Sequence, residues 1–327
     1  MYIPPFEIST EAINMVAEIS AQVERFVIRM EQEDGLRLRK ANRIKTIHSS
    51  LAIEGNTLSE NEVSDIIDGK TVIAPIKQIQ EVKNAIATYE LYPTLDAFKE
   101  KDLLKAHAVM KKALIDDAGQ YRSCGVGVFG QHGLAHLAPP AERVPILMSE
   151  LMEWLKKSKD HLLIRSCVFH YEFEFIHPFI DGNGRMGRLW QSLILGKFNP
   201  IFEYLPVENM VYANQQAYYD AITESTKKGQ SGPFIDFMLR EILDSLNNHK
   251  KVPITQNVGN NVGNNVGNNE KKILDMISNI PTVTTPQLAE MLGITKRQCE
   301  RIISSMKQRG LLRRIGTKGG YWEIINK

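Results

Sequence analysis

The chain has 327 residues, 43% of them apolar and 24% charged, with a net charge of +2, which suits a soluble globular protein with one sizeable core and a smaller second unit. Its three scattered cysteines, Cys124, Cys167 and Cys299, are odd in number and in no CxxC spacing, so they indicate neither a disulfide framework nor a zinc site. The opening MYIPPFEIST lacks the charged-then-apolar order of a signal peptide, and no run of about 18 apolar residues exists, so a cytoplasmic protein without a membrane partner is expected.

In chain order, Ser9 and Thr10 stand where a helix cap would, ahead of Ile13, Val16, Val23, Val27 and Met30 at helical intervals. A second helix is expected from about Leu36 to a stop at Gly55, with others near Asn61 to Ile67, Gln78 to Tyr89 and Asp102 to Leu114. From Gly119 to Pro140 the pattern changes to glycines with alternating Val126 and Val128, which predicts a short hairpin. Helices resume from Arg143 to Lys156 and from His161 to about Phe175, where Leu163, Cys167, Val168 and Tyr171 repeat at helical spacing.

The segment His177 to Arg188, HPFIDGNGRMGR, carries the chemistry. Gly182, Asn183 and Gly184 lead into a helix from about Arg185 to Gly196. Small residues there let backbone NH groups point at an anion, which the partial positive charge of a helix N-terminus also favours. Arg185 and Arg188, at i and i+3, can turn two guanidinium forks to one side, as phosphate oxygens require. Asp181 would repel such a ligand unless a cation lay between them, the usual Mg²⁺ arrangement. His177 is the one side chain of the segment able to take a proton near pH 7, and Pro178 stiffens the turn that aims it. Each element alone has a bland reading as a turn or a solvated face; their order within twelve residues builds a base, a metal ligand, an anion nest and a phosphate clamp.

Two further helices are expected near Asn214 to Ser225 and Phe234 to Leu246. From Asn257 to Asn269 the tetrapeptide NVGN occurs three times, too poor in apolar residues to repay ordering, so residues 251–269 are expected to be a flexible linker between a domain of residues 1–250 and one of residues 270–327. The last of these holds eleven Lys and Arg against five Asp and Glu, a net +6 that leaves −4 for the remainder. It reads as a helix with Ile273, Leu274 and Ile277 inward, a second capped by Thr284 or Thr285 with Pro286 at its start, a turn at Gly293, and a third from Thr295 to Arg309 ended by Gly310. Two strands, LLRRI and YWEII, follow around GTKGG. That order resembles a winged helix-turn-helix, with Lys296, Arg297, Gln298 and Arg301 where a major-groove reader presents side chains and Lys318 in the wing; duplex DNA and protein are the two partners it suits.

HPFIDGNGRMGR resembles the signature of the Fic family, HPFx(D/E)GNGRxxR, at every defined position, and the likeness extends over roughly Leu36 to Leu246. The resemblance implies a mainly α fold, a Fic-type helical domain with a short β-hairpin flap, followed here by a small α+β winged helix-turn-helix domain. It implies transfer of AMP from ATP to a hydroxyl side chain of a target protein. His177 would be the base, Asp181 the Mg²⁺ ligand, and Gly182, Asn183 and Gly184 the holders of the α- and β-phosphates. Arg185 and Arg188 would take the β- and γ-phosphates, and the hairpin would hold the target segment by strand pairing. Gly184 stands where the phosphorylating Doc proteins have lysine, which favours AMP transfer. SLAIEGN, residues 50–56, resembles the family's inhibitory motif (S/T)xxxE(G/N): Ser50 would begin it, and Glu54 would pair with Arg188 and block the γ-phosphate position. Removal of AMP using Glu54, or a DNA-binding regulator with a nucleotide-sensing Fic domain, are the alternatives, and a homo-oligomer is compatible with either.

Overall fold

The computed structural model describes residues 2–30, 35–130, 133–203, 205, 207–250, 273–274, 276–277, 282–292, 296–308, 312–316 and 321–324, with side chains left out at 25–41, 128–137 and a few positions elsewhere. The expected linker 251–269, Gly293, Thr295, Gly310 and Lys318 lie outside the described residues, as do the side chains of Val27, Met30, Lys296, Arg297, Gln298 and Arg301. Two compact units result, Met1–Val252 and Pro253–Lys327. No helix among the described residues is long and apolar enough to cross a membrane.

In the first unit, helices α1 (Thr10–Met30), α2 (Gly35–Ile53), α3 (Glu60–Ile67), α4 (Ile76–Leu91) and α5 (Glu100–Met110) precede a hairpin of β1 (Gly127–Gly130) and β2 (Gly133–Leu137). Helices α6 (Val144–Lys157), α7 (Leu162–Ile176), α8 (Asn183–Phe198), α9 (Val207–Ala213), α10 (Gln215–Lys228) and α11 (Gly232–Lys250) follow. The expectation of a mainly helical domain with a small hairpin holds.

Helix α7 occupies the centre because its sequence, LLIRSCVFHYEFEFI, is apolar on every side, and such a helix is stable only when surrounded. Leu163, Cys167, Val168, Phe169 and Phe173 are fully buried, and α7 packs along α8, with α6 and α11 also against it. Helix α1 packs on α11, begun by the Ser9 hydroxyl, which accepts from Ala12 N at 2.9 Å and donates to Asp236 of α11 at 2.6 Å. Its buried stripe is Ala12, Met15, Ile19 and Val23, whereas Ile13, expected inward, is 59% exposed. Several overlapping 3–4 spacings exist in this helix, and the tertiary partner selects among them. A second small core of Ile47, Leu51, Leu58, Val63 and Val82 lies under α2 to α4, where Ser59 and Glu62 form a reciprocal capping box that starts α3.

Three boundaries depart from the sequence expectation. Helix α5 stops at Met110 rather than Leu114, because Ala113 turns to a positive φ of 58° and the Asn84 amide donates to the carbonyls of Met110 and Lys112 at 3.2 and 2.7 Å. The strands occupy only the middle of the glycine-rich stretch, paired from Gly127 opposite Leu137 to Gly130 opposite Gly133, with an irregularity between Val128 and Phe129. Helix α9, seven residues long, carries too few turns for a periodic signal.

In the second unit the described helices are α12 (Thr285–Met291) and α13 (Lys296–Gln308), followed by β3 (Leu312–Ile315) antiparallel to β4 (Tyr321–Ile324). Ile273, Ile277, Leu288, Ile302, Met306 and Trp322 share its core, and the indole of Trp322 donates to the Val283 carbonyl at 2.8 Å.

Gly119 tests the packing that supports the hairpin's approach. It sits at φ +85°, and a β-carbon there would lie 2.7 Å from Ala108 Cβ and 3.1 Å from the Leu104 carbonyl. The left-handed backbone alone costs a non-glycine residue ~1–2 kcal/mol. Gly119→Ala is therefore expected to lower the unfolding free energy by at least about 2 kcal/mol, read from the urea midpoint; an unshifted midpoint contradicts this packing.

Candidate active site

The turn between α7 and α8 is built on one unusual backbone position. His177 closes α7 in the left-handed region (φ 51°, ψ 60°), and its amide donates to Phe173 O at 2.9 Å. A non-glycine residue holds this geometry only when its surroundings fix it. The chief clamp is Arg122, 3% exposed. Its Nε donates to His177 O at 2.8 Å, and Nη2 donates to Ile176 O at 3.2 Å and to Pro139 O at 2.6 Å. Nη1 donates to Cys124 O at 2.8 Å, and the Arg122 amide to Pro178 O at 2.9 Å. One guanidinium thus ties the residues before and after the hairpin to the turn that carries His177.

The rest of the turn is held from inside. Phe179 is fully buried and stacks on the His107 ring at 3.6 Å between centroids. The Asn183 side chain accepts from Phe179 N at 2.9 Å and donates to Phe179 O at 2.8 Å, so it closes the turn. His107 Nδ1 accepts from Gly119 N at 2.9 Å, which places the ring proton on Nε2, and that atom donates to Asp181 O at 3.0 Å. Burial, with the nearby Lys111 and Arg185 charges, pushes the imidazole down to about 4, so it stays neutral. Gly182 then caps α8 at φ +92°, presenting the first-turn amides of Asn183 and Gly184 at the helix N-terminus.

Opposite these amides lies the charge pair expected from the sequence. Arg188, 1% exposed, donates from Nη2 to Glu54 Oε1 at 2.7 Å and to Ser50 O at 3.3 Å. Burial alone would raise the Glu54 carboxyl, but the charge and hydrogen bond of Arg188, with the charge of Arg185, outweigh it and hold Glu54 below the usual carboxylate range. Gly184 is required for this contact, because a β-carbon there would fall 2.6 Å from Glu54 Oε1 and 3.0 Å from Arg188 Nη1. Arg185 is 3% exposed, and its Nε and Nη1 make no hydrogen bond among the described residues. Two donor nitrogens of a buried guanidinium, with three N–H groups between them, thus have no acceptor among the described residues.

Asp181 is half exposed, and its Oδ2 meets Lys111 Nζ at 2.5 Å. Among the described residues no three His, Cys, Asp or Glu side chains gather to hold a metal. A divalent ion here would take Asp181 and complete its shell with phosphate oxygens and water, which is how Mg²⁺ usually binds, so the residues fit it only together with a nucleotide.

Behind Arg188 lies a buried polar tier. Glu174 Oε1 makes no hydrogen bond among the described residues and lies 3.9 Å from His170 Nε2, while His170 also contacts Gln191 at 2.5 Å and the Tyr218 hydroxyl at 3.1 Å. Gly187 makes room, since a β-carbon there would sit 2.6 Å from Glu174 Oε1. Burial pushes the Glu174 carboxyl up to about 8, against the pull of Arg188 and with the push of Glu54.

Ser50, Glu54, His177, Asp181, Gly182, Asn183, Gly184, Arg185 and Arg188 thus belong to one connected region, as the sequence reading expected. Arg122, His107, Lys111 and Glu174 were not anticipated. His107 and Lys111, four apart at the end of α5, carry a faint signal as polar residues on a packing helix. Arg122 carries none, because its partners are backbone carbonyls.

Residues 94–195 match the Fic/DOC family. The solved structure of a Fic family protein from Desulfovibrio desulfuricans G20 is similar over 100% of this chain and 99% of its own, at 38% identity and TM-score 0.75. The protein adenylyltransferase Fic of Nematostella vectensis is 30% identical over 59% of this chain and 45% of its own length. The protein of that name from Drosophila mojavensis is 28% identical over 62% of this chain and 40% of its own. The chain therefore spans less than half the length of these two curated relatives.

The buried carboxyl behind Arg188 gives the region a pH signature. Glu174 titrates at about 8 when folded and near 4.5 when unfolded, so the folded state binds the extra proton between those values. Its contribution is complete below about pH 4.5 and is lost as pH rises through about 8. Relative to Glu174→Gln, which cannot ionise, the wild-type melting temperature is expected to fall as pH is raised from 5 to 9; parallel melting curves would show that Glu174 is not held neutral.

Proposed function

Since the chain belongs to the Fic family, we propose that it transfers AMP from ATP to a hydroxyl side chain of a target protein, and that Glu54 holds this activity in check. The family name borne by the relatives supports the reaction class, and one observation carries the regulatory half: the 2.7 Å contact by which Glu54 occupies the Arg188 guanidinium.

In the reaction so assigned, the triphosphate lies along the first turn of α8, its α- and β-phosphates at the backbone of Gly182, Asn183 and Gly184 and its outer phosphates at Arg185 and Arg188. His177 takes the proton of the target hydroxyl as its oxygen bonds to the α-phosphorus. The bond from that phosphorus to the bridging oxygen breaks, and pyrophosphate leaves with the electron pair. Asp181, together with phosphate oxygens, would hold Mg²⁺, which would supply charge neutralisation. Positioning by the Arg122 and His107 clamps provides the remainder. While Glu54 holds Arg188, the γ-phosphate lacks its donor and ATP sits out of register.

Glu54→Gly is expected to raise labelling of the protein itself and of lysate proteins by α-labelled ATP at least about tenfold, the factor that ~1.4 kcal/mol of lost restraint gives. His177→Ala in the same background should lose about 10²–10⁴-fold, the range of a general base. Equal labelling by wild type, Glu54→Gly and His177→Ala would dismiss both assignments. Loss of label from a pre-modified target, dependent on Glu54, would instead favour AMP removal.

For the C-terminal unit we infer a winged helix-turn-helix that docks duplex DNA, supported by its order of helices and hairpin and by its net charge of +6 from Glu270. A gel shift with duplex DNA that weakens steeply with salt is the expected result; an absence of binding at low salt would reassign this unit to a protein contact.

A further inference from the structure

A lysine buried to 1% exposure is costly unless its ammonium is used. Lys111 is such a residue, and its partner is Asp181, the carboxylate proposed above to take Mg²⁺. Its path is built rather than accidental. Lys111 ends α5 with its amide bonded to His107 O at 2.9 Å, and the turn after it is pinned by Asn84 to the Met110 and Lys112 carbonyls. Gln80 in turn donates to the Asn84 side chain at 2.8 Å. The lysine stem runs across Gly182, where a β-carbon would lie 3.2 Å from both Cδ and Cε, so a side chain at the cap of α8 would crowd the stem. The ammonium therefore reaches Asp181 ahead of α8, within electrostatic range of Arg185, whose Nε and Nη1 make no hydrogen bond among the described residues.

We propose that Lys111 is a built-in cation of the phosphate site. With no nucleotide present it neutralises Asp181 and keeps that carboxylate from collecting a divalent ion by itself. When a nucleoside di- or triphosphate enters, the ammonium swings its donors to the phosphate oxygens while staying against Asp181, so the nucleotide is retained even without a divalent ion. This inference rests on the nucleotide reading of the site given above. It assigns Lys111, which lies outside the HPFIDGNGRMGR segment, a binding role toward phosphates and a competing role toward the metal.

The test measures binding, not turnover. ADP affinity is titrated at one pH for wild type, Lys111→Met and Lys111→Arg, in EDTA and in excess Mg²⁺, and Mn²⁺ binding to the nucleotide-free proteins is followed by its electron paramagnetic resonance signal. In EDTA, Lys111→Met is expected to weaken ADP binding about tenfold or more, Lys111→Arg by no more than about threefold, and excess Mg²⁺ should close most of the gap. Free Lys111→Met should bind Mn²⁺ more tightly than wild type, because Asp181 has lost its competitor. Unchanged ADP affinity in EDTA together with unchanged Mn²⁺ binding overturns the proposal. Should Lys111→Met fail to fold, Lys111→Met/Asp181→Asn removes the orphaned charge and is compared with Asp181→Asn under EDTA; an equal affinity of the two overturns it again. Wild type that binds ADP in Mg²⁺ but not in EDTA defeats the Lys111 role alone, whereas wild type that binds no nucleotide under either condition defeats the adenylyltransferase reading.

Discussion

A guanidinium with 1% exposure has lost nearly all of its hydration, and an anion in hydrogen-bond contact offsets that loss. Arg188 is that group, and much of the architecture around the site is arranged to supply its anion. Its partner Glu54 is 134 residues away in sequence, carried just past the end of α2, where the helix dipole disfavours a carboxylate. The C-terminal turn of α2 sets Glu54 there: Asn56 N bonds back to Leu51 O at 3.1 Å, Gly55 takes a φ of 85°, and Gln215 holds the Ile53 carbonyl at 3.3 Å. The small core under α2 to α4 fixes the helix that delivers it. Arg188 outweighs the unfavourable dipole, as the lowered Glu54 carboxyl records.

The turn from His177 to Gly182 solves a different problem, since it must keep a histidine in a left-handed conformation while Ile180 and Asp181 stay exposed. It does so by spending donors from elsewhere in the fold: Arg122 on four carbonyls, His107 on Asp181 O, Asn183 on Phe179. Because Arg122 reaches Cys124 and Pro139 on one side and Ile176 and His177 on the other, one side chain joins the hairpin's two roots to the His177 turn. A target segment paired with the hairpin, on the proposed reading, would be positioned against His177 by the same contacts.

Helices with a clear apolar period, such as α4, α6 and α11, were legible in the sequence to within a few residues, because burial writes a 3.6-residue pattern wherever one face is core. The site segment was legible for another reason: its chemistry is local, with base, carboxylate, nest and arginines in twelve consecutive residues. The Glu54 partner was legible only through family resemblance, since nothing in residues 50–56 points to Arg188. What stayed hidden was set by long-range contacts. Ile13 looks like core until α11 chooses the Ala12, Met15, Ile19 stripe instead. Lys111 looks like any surface lysine near the end of a helix until the turn at Ala113 and the absent side chain of Gly182 bring it to Asp181.

The charges of the site are arranged so that they offset one another. Three cationic side chains, Lys111, Arg185 and Arg188, meet the positive end of α8, and left alone they would repel one another. Asp181 and Glu54 divide them, each carboxylate taking one cation directly and lowering the field at Arg185. Glu174, next to Arg188 yet kept neutral by burial, adds polarity without a further full charge. The arrangement imitates a bound polyphosphate with the protein's own carboxylates. On the proposed reading, a nucleotide gains affinity only by the difference between its phosphates and the groups it replaces. Glu54 stands just past α2, a separate element, whereas Asp181 lies in the turn that leads into α8. The two anions therefore have different fates on the proposed reading: Glu54 is displaced and its loss sets the restraint on activity, while Asp181 stays and must share its cation with the ligand.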